Sequence, residues 1–411
     1  MSDETYEKSE DEYVAYEEHE DEEWHHNVFS EAADEEEAEE AEEEDEEPVA
    51  ESNVDAAWDL PAAAPPDLND FDFVEAYDDE PLDDDQMLPG NSAPSAINCA
   101  FIGVGGGGGK MAKAFLDLGF NKTILVNTTP KDQPQGVGVE NFLLIPGADG
   151  VAKNIKLGKE VLGNNSTLVE DALRTRIGKV DWIFVLAGAG GGTGSACHVL
   201  HKSLTRYLSS INAEGKVIYV ASKPTAQELL NPTIKSNCAV LLKDIKAHPH
   251  IIIDNEKQLQ LLRGKIGMLN MYPAANKNFA KLLGQVLKLA NESSPIQVFD
   301  QKDLERCLSS NGRMLLGSTI VRNEYAHDLG ATVFQGCLRS SPCPPPSKQP
   351  KTGVLLLIIT SEMGDNPQIS NRLESAFSYV GGRAETLFSG VYVNENLPGL
   401  IALTLLGGMQ D

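Results

Sequence analysis

The sequence predicts an α/β fold in which a parallel sheet carries helices on both faces. Short apolar runs alternate along the chain with segments of helical spacing, a pattern typical of consecutive βαβ units. Two glycine-rich turns each lie between such a run and the helix that follows it. From about residue 274, apolar side chains recur at i, i+3, i+4, i+7, i+8 and i+11, which indicates a long amphipathic helix.

The predicted elements begin near residue 96. The first five strands are NCAFIGV, ILVNTT, VDWIFVLA, KVIYVAS and HIIID. Helical spacing is clear in MAKAFLDLGF and in SACHVLHKSLTRYL. After the Pro-rich SSPCPPPSKQPKTG, a second unit consists of the strand VLLLIIT, the helix QISNRLESAFSYV and the strands ETLFSGVYV and LIALTLL. We therefore expect a smaller α+β domain after the main one.

Charge divides the chain into two parts. Residues 1–95 hold 38 of the 63 acidic residues and one of the 33 basic ones, so this segment has a net charge of −37 and the remainder +7. So acidic a segment has too little apolar surface to repay the entropy of folding, and we expect a disordered acidic tail. Its aromatic residues leave two interpretations open, an interaction tail that docks on basic protein partners and a solubilising tether.

Several classes of protein are disfavoured. No apolar run approaches the roughly 20 residues that cross a bilayer, and the opening MSDETYEKSEDEY lacks the features of a secretory signal. The six cysteines form no C-x-x-C pair and have no histidine at ligand spacing. We therefore expect the protein to reside in a reducing cytoplasm and to have neither a disulfide framework nor a protein metal site.

The first glycine-rich turn runs from Gly103 to Gly109, directly after a strand and before a helix. Backbone N–H groups in such a turn can close on phosphate oxygens. A Walker A loop is excluded, because Val104 occupies its leading glycine position and Met111 its Ser/Thr position. The turn does contain G-x-G-x-x-G, but the next strand ends VNTT without the ribose-binding acid of a dinucleotide fold. The absence of this acid disfavours a dinucleotide-dependent oxidoreductase. Besides the Walker A and dinucleotide interpretations, a third is that the glycines serve only tight packing.

The second glycine-rich turn, from Ala187 to Ser195, has the same strand–loop–helix context. Two such loops on one sheet can enclose a di- or triphosphate from two sides, whereas a dehydrogenase needs only one. The second loop therefore favours a nucleoside triphosphate as the ligand.

These motifs resemble those of the tubulin/FtsZ GTPases, as in a divergent FtsZ-like or phage- or plasmid-type tubulin homologue. GAGGGTGS is similar to the signature loop of the family, and GVGGGGG to the opening loop of FtsZ. SKPTAQE, IDNEKQL, FDQKDLERCLSSNGRMLLG, CLRSSP, GVLLLIIT and LFSGVYVNENLPGLIALTLLGG follow in the order of the family. The resemblance covers about 315 residues and implies a Rossmann-like GTPase domain, a long central helix and a C-terminal α+β domain.

The resemblance further implies that the chain binds GTP or GDP with Mg²⁺. The residues that it places around the nucleotide are Gly105, Gly106, Gly107, Gly108, Gly109, Lys110, Asn127, Gly188, Ala189, Gly190, Gly191, Gly192, Thr193, Gly194, Glu228, Asn255 and Asn278.

Three members of this set match contacts to the nucleoside. Glu228 corresponds to a ribose contact, and Asn255 and Asn278 to contacts with the guanine edge, with Asn276 a near alternative to Asn278. An amide suits guanine because it offers a donor and an acceptor together. For Asn255, an Asx turn after a strand is the alternative interpretation.

Two further elements match the family poorly. The position of the base-stacking aromatic falls near Ala274, which leaves Tyr272 as a substitute. The γ-phosphate loop corresponds to residues 163–171, where Asn164, Asn165 and Ser166 are candidates.

The resemblance places catalytic acids at Asp300 and Asp303, which would act on the nucleotide of a neighbouring subunit. Carboxylates suit this chemistry because a water must be oriented and partly deprotonated beside the γ-phosphate. Two acids three residues apart at a helix start also fit capping residues. Val298 replaces an Asn of the family, so altered water positioning and a lowered rate are expected.

Two functions remain open. The first is a GTPase that polymerises head to tail into filaments, with hydrolysis completed by the acids of the neighbouring subunit. The second is a non-polymerising or co-assembling nucleotide-binding regulator of another filament of this family. The acid pair favours the first.

The predicted organisation has five segments. They are the acidic tail at 1–95, a GTP-binding domain at 96–272, the central helix and the start of the catalytic loop at 273–298, the catalytic loop with helices and a Pro-rich connection at 299–350, and the α+β domain at 351–411. The resemblance implies a cytoplasmic protein of a bacterium or a phage-infected bacterial cell. It also implies that the chain assembles with further copies of itself and does not bind nucleic acid directly. Because the sequence ends at LLGGMQD, we expect no C-terminal anchor-recruiting peptide and no standard role in cell division.

Overall fold

The structure is a computed structural model that describes residues 94–410. The predicted acidic tail lies outside the described residues, apart from its last two positions. None of the helices in the described part is long and apolar enough to cross a bilayer. The six cysteines are buried, unpaired thiols.

The described chain contains ten strands. They are β1 (Cys99–Val104), β2 (Thr123–Asn127), β3 (Phe142–Leu144), β4 (Trp182–Gly188), β5 (Val217–Lys223), β6 (Pro249–Asp254), β7 (Gly312–Val321), β8 (Thr352–Ile359), β9 (Thr386–Val393) and β10 (Leu400–Met409).

Twelve α-helices connect these strands in the same part of the chain. They are α1 (Gly105–Asp117), α2 (Ile155–Asn164), α3 (Ser166–Ala172), α4 (Gly192–Ser195), α5 (His201–Ser210), α6 (Pro232–Ile245), α7 (Asn255–Leu262), α8 (Met268–Leu289), α9 (Gln301–Ser309), α10 (Leu329–Ser340), α11 (Ser361–Asp365) and α12 (Pro367–Gly381).

All ten strands belong to one sheet, in the order β3-β2-β1-β4-β5-β6-β7-β10-β8-β9. The strands from β3 to β7 pair in parallel. β10 is antiparallel to both β7 and β8, and β8 is parallel to β9. The predicted α/β fold with helices between parallel strands is confirmed.

β7 joins the two parts of the sheet, and the sequence analysis did not predict it. Its first residues pair with β6, while most of its length pairs with β10. The sequence GRMLLGSTIV is almost continuously buried, so it lacks the alternation that marks a strand with one wet face. This region was assigned to helices and a connection, and the strand assignment corrects that prediction.

Alternate residues of each central strand pack into two hydrophobic cores, one on each face of the sheet. In β1, Phe101 belongs to the first core and Ala100 and Ile102 to the second, as expected from the two-residue period of a strand. The aromatic centre of the first core includes Phe101 stacked on Phe115 at 4.1 Å between ring centroids. Helices therefore cover both faces, which leaves the strand ends as the exposed edges.

The long helix α8 runs across the first core from one edge of the sheet to the other. It starts soon after β6 and α7, at the edge where the parallel strands end. Near its far end, the Leu287 carbonyl accepts a hydrogen bond of 2.8 Å from the N–H of Ala96, which precedes β1. Its 22 residues correspond to about 33 Å. The two ends of α8 thus lie at opposite edges of the sheet.

Candidate nucleotide site

The two glycine-rich turns meet at one point on the carboxyl edge of the sheet. The strand order reverses between β1 and β4, and the turns directly follow these two neighbouring strands. Such a reversal opens a crevice outside the strand ends, where ligands of α/β folds bind. A Cβ added to Gly105 would lie 2.8 Å from the backbone N of Gly194. The sequence analysis therefore selected two loops that are in direct contact.

The first turn consists of the start of helix α1. Val104 occupies the N-cap, no side chain caps the helix, and its first turn contains no acid. Its first backbone N–H groups consequently have no side-chain acceptor, which suits an anion at the positive end of the helix dipole.

Packing explains some of the glycines in this turn, but not all of them. A Cβ on Gly108 would lie 2.1 Å from the carbonyl oxygen of Leu186, so this residue allows α1 to press on β4. Gly107 is exposed, and a Cβ there would meet only the Gly188 backbone, at 3.3 Å. Close packing alone therefore accounts for Gly108 and leaves Gly107 free for another role.

The second turn leaves β4 at Gly188 and enters the short helix α4 at Gly192. The Ser195 hydroxyl is fully buried and has no hydrogen-bond partner among the described residues. The Thr193 hydroxyl lies 3.3 Å from that of Thr128, which follows β2. Buried polar atoms normally have partners, so the enclosed Ser195 hydroxyl is an unsatisfied polar group beside the second turn.

Asn127 closes the site at the end of β2. It is 3% exposed, and its Oδ1 accepts a hydrogen bond of 2.8 Å from the Thr128 N–H. Its Nδ2 donates to the Asp132 carboxylate at 3.2 Å. A Cβ on Gly106 would lie 2.9 Å from the same carboxylate. Asp132 is thus an acid beside the first turn that the sequence analysis missed, because it lies five residues beyond the strand end.

A third loop, residues 145–154, packs against the second turn. The Gly192 N–H donates to the Ala152 carbonyl at 3.0 Å, and the Gly150 N–H to the Thr128 carbonyl at 2.9 Å. This loop follows β3, a strand of three residues that the sequence analysis did not identify. The apolar run FLLI, which is followed by Pro146 and Gly147, was the available signal for this strand.

The prediction of a γ-phosphate loop at 163–171 was wrong. Asn164 ends α2, and Ser166 begins α3. The side chain of Asn165 donates to the carbonyls of Pro146 and Val161. Residues 163–171 therefore form the junction of two helices rather than a loop.

The candidate nucleoside contacts extend along the same edge, past β5 and β6. Glu228 lies in a short turn after β5, where its carboxylate accepts from the N–H and the hydroxyl of Thr225 at 2.8 and 3.0 Å. Asn255 is the first residue of α7, directly after β6. A cavity of about 250 Å³ opens between these two segments, with Lys223, Asp254 and Glu256 in its lining.

The start of α8 completes this end of the site. Burial, together with the charges of Glu228 and Glu256, raises the pKa of Tyr272, which places this tyrosine close to both acids. Asn278 lies one helical turn after Ala274, and its Nδ2 is buried without a hydrogen-bond partner among the described residues. The helix therefore brings an aromatic ring and an unsatisfied amide towards the edge where the ribose and base residues were predicted.

Asp300 and Asp303 lie at the opposite edge of the sheet. Asp300 caps α9, its Oδ1 accepting from the Asp303 N–H at 3.0 Å. The other end of α9 is fixed by Lys216, which precedes β5 and donates to the Ser309 carbonyl at 2.8 Å. Burial and the neighbouring Asp300 raise the pKa of Asp303. The structure thus separates the two acids from every predicted nucleotide contact.

The sequence analysis placed no metal site, yet three histidines lie together on the flank of the sheet. His198, His201 and His248 can each offer a ring nitrogen within 4.8 Å of the others. The H-x-x-H spacing of the first two was the available signal, whereas the third is 47 residues further along the chain.

Comparison with known proteins gives one sequence relative and several related folds. No protein-family model matches the chain. The cell division protein FtsZ of Coxiella burnetii is 25% identical over 242 residues, which are 57% of this chain and 60% of that protein. The match therefore spans less than two thirds of the relative.

Solved structures extend the similarity over most of the described chain. A GTPγS-bound protofilament of CetZ2 from Haloferax volcanii is 24% identical, with a TM-score of 0.62 over 76% of this chain and 93% of that one. A GTPγS-form protofilament of TubZ from Bacillus thuringiensis serovar israelensis is 18% identical, with a TM-score of 0.64 over 79% and 90%. An FtsZ dimer from M. jannaschii is 18% identical, with a TM-score of 0.57 over 75% and 87%. These structures share the fold, and together with the FtsZ match they identify a divergent protein of the tubulin/FtsZ superfamily.

Proposed function

We propose that this divergent tubulin/FtsZ-superfamily protein is a GTPase that assembles head to tail into filaments. One observation carries the proposal. The glycine turns lie at the carboxyl edge of the sheet and Asp300 and Asp303 at the amino edge, with α8 spanning about 33 Å between them. The acids therefore cannot act on the nucleotide of their own chain, and a second subunit stacked on the carboxyl edge would bring its acids to that nucleotide.

The residues at the carboxyl edge fit a guanine nucleotide. The N–H groups of Gly105 to Gly107 and of Gly191, Thr193 and Gly194 would bind the phosphates, while the Gly192 N–H is held by the Ala152 carbonyl. The unpaired Ser195 hydroxyl would add a donor. Glu228 would contact the ribose through the carboxylate lone pairs that Thr225 leaves free. Asn255 and the unsatisfied Nδ2 of Asn278 would contact the base, with Tyr272 as the stacking group.

The site also fits Mg²⁺, which when bound neutralises charge on the phosphates. The Asp132 carboxylate beside Gly106 is an oxygen ligand of the kind this ion prefers, either directly or through water. The hydroxyls of Thr128 and Thr193, 3.3 Å apart, are further candidates.

At the other edge, Asp300 and Asp303 would orient the attacking water in the neighbouring site. A raised pKa makes the Asp303 carboxylate a better proton acceptor than an ordinary surface acid. Val298 precedes them where a polar residue would help to hold the water, so slow turnover is expected.

Exposed apolar side chains at both edges support end-to-end contact. Met268 and Leu269, at the start of α8, are 85% and 92% exposed, and Leu230, after β5, is 81% exposed. Close in sequence to the two acids, Ile296 and Val298 are 54% and 47% exposed. Stacking one chain on the next would bury both groups.

The alternative, a nucleotide-binding regulator that does not polymerise alone, is favoured by one observation. Asp300 already serves as the cap of α9, so a structural role accounts for its presence without catalysis. Capping and catalysis make different predictions for assembly.

Complementation in trans tests the proposal and separates it from the alternative. Asp300→Ala retains its nucleotide site, whereas Gly107→Asp retains its acids but places a carboxylate against the phosphates. Each variant alone should hydrolyse GTP poorly, and an equimolar mixture should recover a substantial fraction of wild-type turnover in a GTP-dependent pellet. If the wild type sediments and hydrolyses GTP but the mixture recovers nothing, the shared site is refuted. A wild type that binds GTP without sedimenting supports the regulator.

A further inference from the structure

Three histidine side chains converge on the face of the sheet that carries the second core, near the start of β6. His198 lies in the turn Cys197–Leu200, and His201 is the first residue of α5. His248 lies between α6 and β6, next to the first residue of that strand. The cluster thus draws on two segments about 50 residues apart in sequence, which only the fold brings together.

The distances within the cluster suit a single small cation. The Nε2 atoms of His198 and His248 are 3.0 Å apart, and one nitrogen from each of the three rings lies within 4.8 Å of the others. Ligands at about 2.0–2.1 Å around a tetrahedral Zn²⁺ are roughly 3.3 Å from one another. Small rotations of the rings would therefore bring all three nitrogens to bonding distance.

The surroundings hold the rings in place and disfavour their charged form. The Tyr219 hydroxyl, buried on β5, lies 2.9 Å from Nδ1 of His201, a contact of the kind that orients metal-bound histidines. Burial lowers the pKa of His201 to about 4 and also lowers the pKa of His198 and of His248. Neutral imidazoles with lone pairs are the form that binds metals.

The nearby charges can accommodate a cation. Asp244, at the end of α6, contributes an electrostatic interaction that raises the pKa of His198, and Lys159 one that lowers it. These two side chains are paired with each other at 2.8 Å, so the lysine charge is offset. The three histidines are half-buried, which leaves a side open to water as a fourth ligand.

We propose that His198, His201 and His248 form a binding site for a divalent transition-metal ion of the Zn²⁺ class. Three imidazoles with an open fourth position match the ligand preference of Zn²⁺, Co²⁺, Ni²⁺ and Cu²⁺ rather than that of Mg²⁺ or Ca²⁺. An ion at this site would join the turn Cys197–Leu200 and the start of α5 to the segment that leads into β6. The site is independent of the proposed GTPase activity.

Metal titration of the full-length chain tests this site. Because His19, His25 and His26 lie among the acids of residues 1–95, the reference protein carries His19→Ala, His25→Ala and His26→Ala. After chelator treatment, this reference protein should bind one equivalent of Zn²⁺. When Co²⁺ is added instead, it should show the intense visible absorption of the four-coordinate ion. Zn²⁺ should also raise its melting temperature.

Variants in the same background decide whether the cluster is the ligand set. His201→Ala and His248→Ala should each weaken Zn²⁺ binding by about 100-fold or more, and Tyr219→Phe by about 10-fold. His327→Ala, at an exposed histidine outside the cluster, should bind as the reference does. Circular dichroism checks the fold of each variant, and His201→Gln and His248→Gln replace any alanine variant that does not fold. A reference protein that retains no Zn²⁺, or folded cluster variants that bind as tightly as the reference, would overturn the proposal.

Discussion

The Asp300 carboxylate accepts a hydrogen bond of 3.0 Å from the backbone N–H of Asp303. The residue that caps α9 and the second acid of the proposed catalytic pair are thereby fixed in one turn. The capping role and the proposed catalytic role coincide at Asp300, so a single alanine substitution cannot distinguish them.

Asp300→Asn separates capping from catalysis. Asn caps helices about as well as Asp, so this variant should keep the wild-type melting temperature and GTP affinity while hydrolysis is lost. Asp300→Ala should lose hydrolysis and also about 1 kcal/mol of stability. Asp328→Ala, which removes the matching cap of α10, should lose similar stability and keep its GTPase activity. Normal turnover by Asp300→Asn would leave the residue with a capping role alone.

Asp303→Asn should make the folded chain slightly more stable at pH 7. Burial and Asp300 raise the pKa of Asp303, so its ionised form is disfavoured in the folded state. Its contribution to stability is present at low pH and is lost as the pH rises through the folded-state pKa. The advantage of the variant in urea unfolding should therefore shrink towards about pH 4. An advantage that grows in acid would show that the pKa is lowered instead.

Asn278→Ala should weaken GTP binding by about ten- to a hundredfold, as expected for a lost hydrogen bond of about 1–3 kcal/mol. Without nucleotide, the variant should be as stable as the wild type or more stable, since its Nδ2 is buried without a described partner. Asn276→Ala is the matched control, with little effect on affinity expected. Calorimetric titration with GTP and thermal unfolding without it measure both quantities. Reversed effects of the two variants would move the base contact to Asn276.

Gly107→Ala and Gly108→Ala distinguish phosphate binding from packing in the first turn. A Cβ at 2.1 Å from the Leu186 oxygen is a severe overlap, so Gly108→Ala should destabilise the fold by about 3 kcal/mol or more. Gly107→Ala meets only a 3.3 Å contact and gains helix propensity of up to about 1 kcal/mol, so its unfolding free energy should change little. A phosphate at this turn predicts weaker GTP binding for Gly107→Ala. Unchanged affinity in that variant would favour the packing interpretation.

Deletion of residues 1–95 should change how filaments associate. This segment carries −37 and the remainder +7, so its removal should promote bundling at low salt, and the difference should fade as salt screens the charge. Light scattering and electron microscopy across a salt series measure the effect. Identical bundling of the two proteins at every salt concentration would contradict a spacing role for the segment.

Much of the fold could be predicted from the sequence because several central strands are apolar runs, two of which end in glycine-rich turns. β1 and β4 were identified in this way, and their turns proved to be in contact. β3 was missed because three residues give too short a pattern, and with it the loop that packs on Gly192. β7 was missed because burial on both faces removes the alternation that identifies a strand.

Other features of the nucleotide site and of the histidine cluster depend on which residues the fold brings together. The spacing of residues along the sequence could not predict them. His248 meets His198 only because the fold brings the turn Cys197–Leu200 to the segment before β6. Asp132 lies beside Gly106 because a short turn folds it back on the strand end. The separation of Asp300 from the glycine turns follows from the direction of α8, and the amphipathic pattern predicts that helix without its direction.

The junction at β7 has a mechanical consequence. In a filament stacked edge to edge, tension runs along the parallel strands, so neighbouring strands resist it by shear of many hydrogen bonds at once. β7 pairs with β10 at eight positions but with β6 at three. Under a rising load, the two parts of the sheet should begin to separate between β6 and β7.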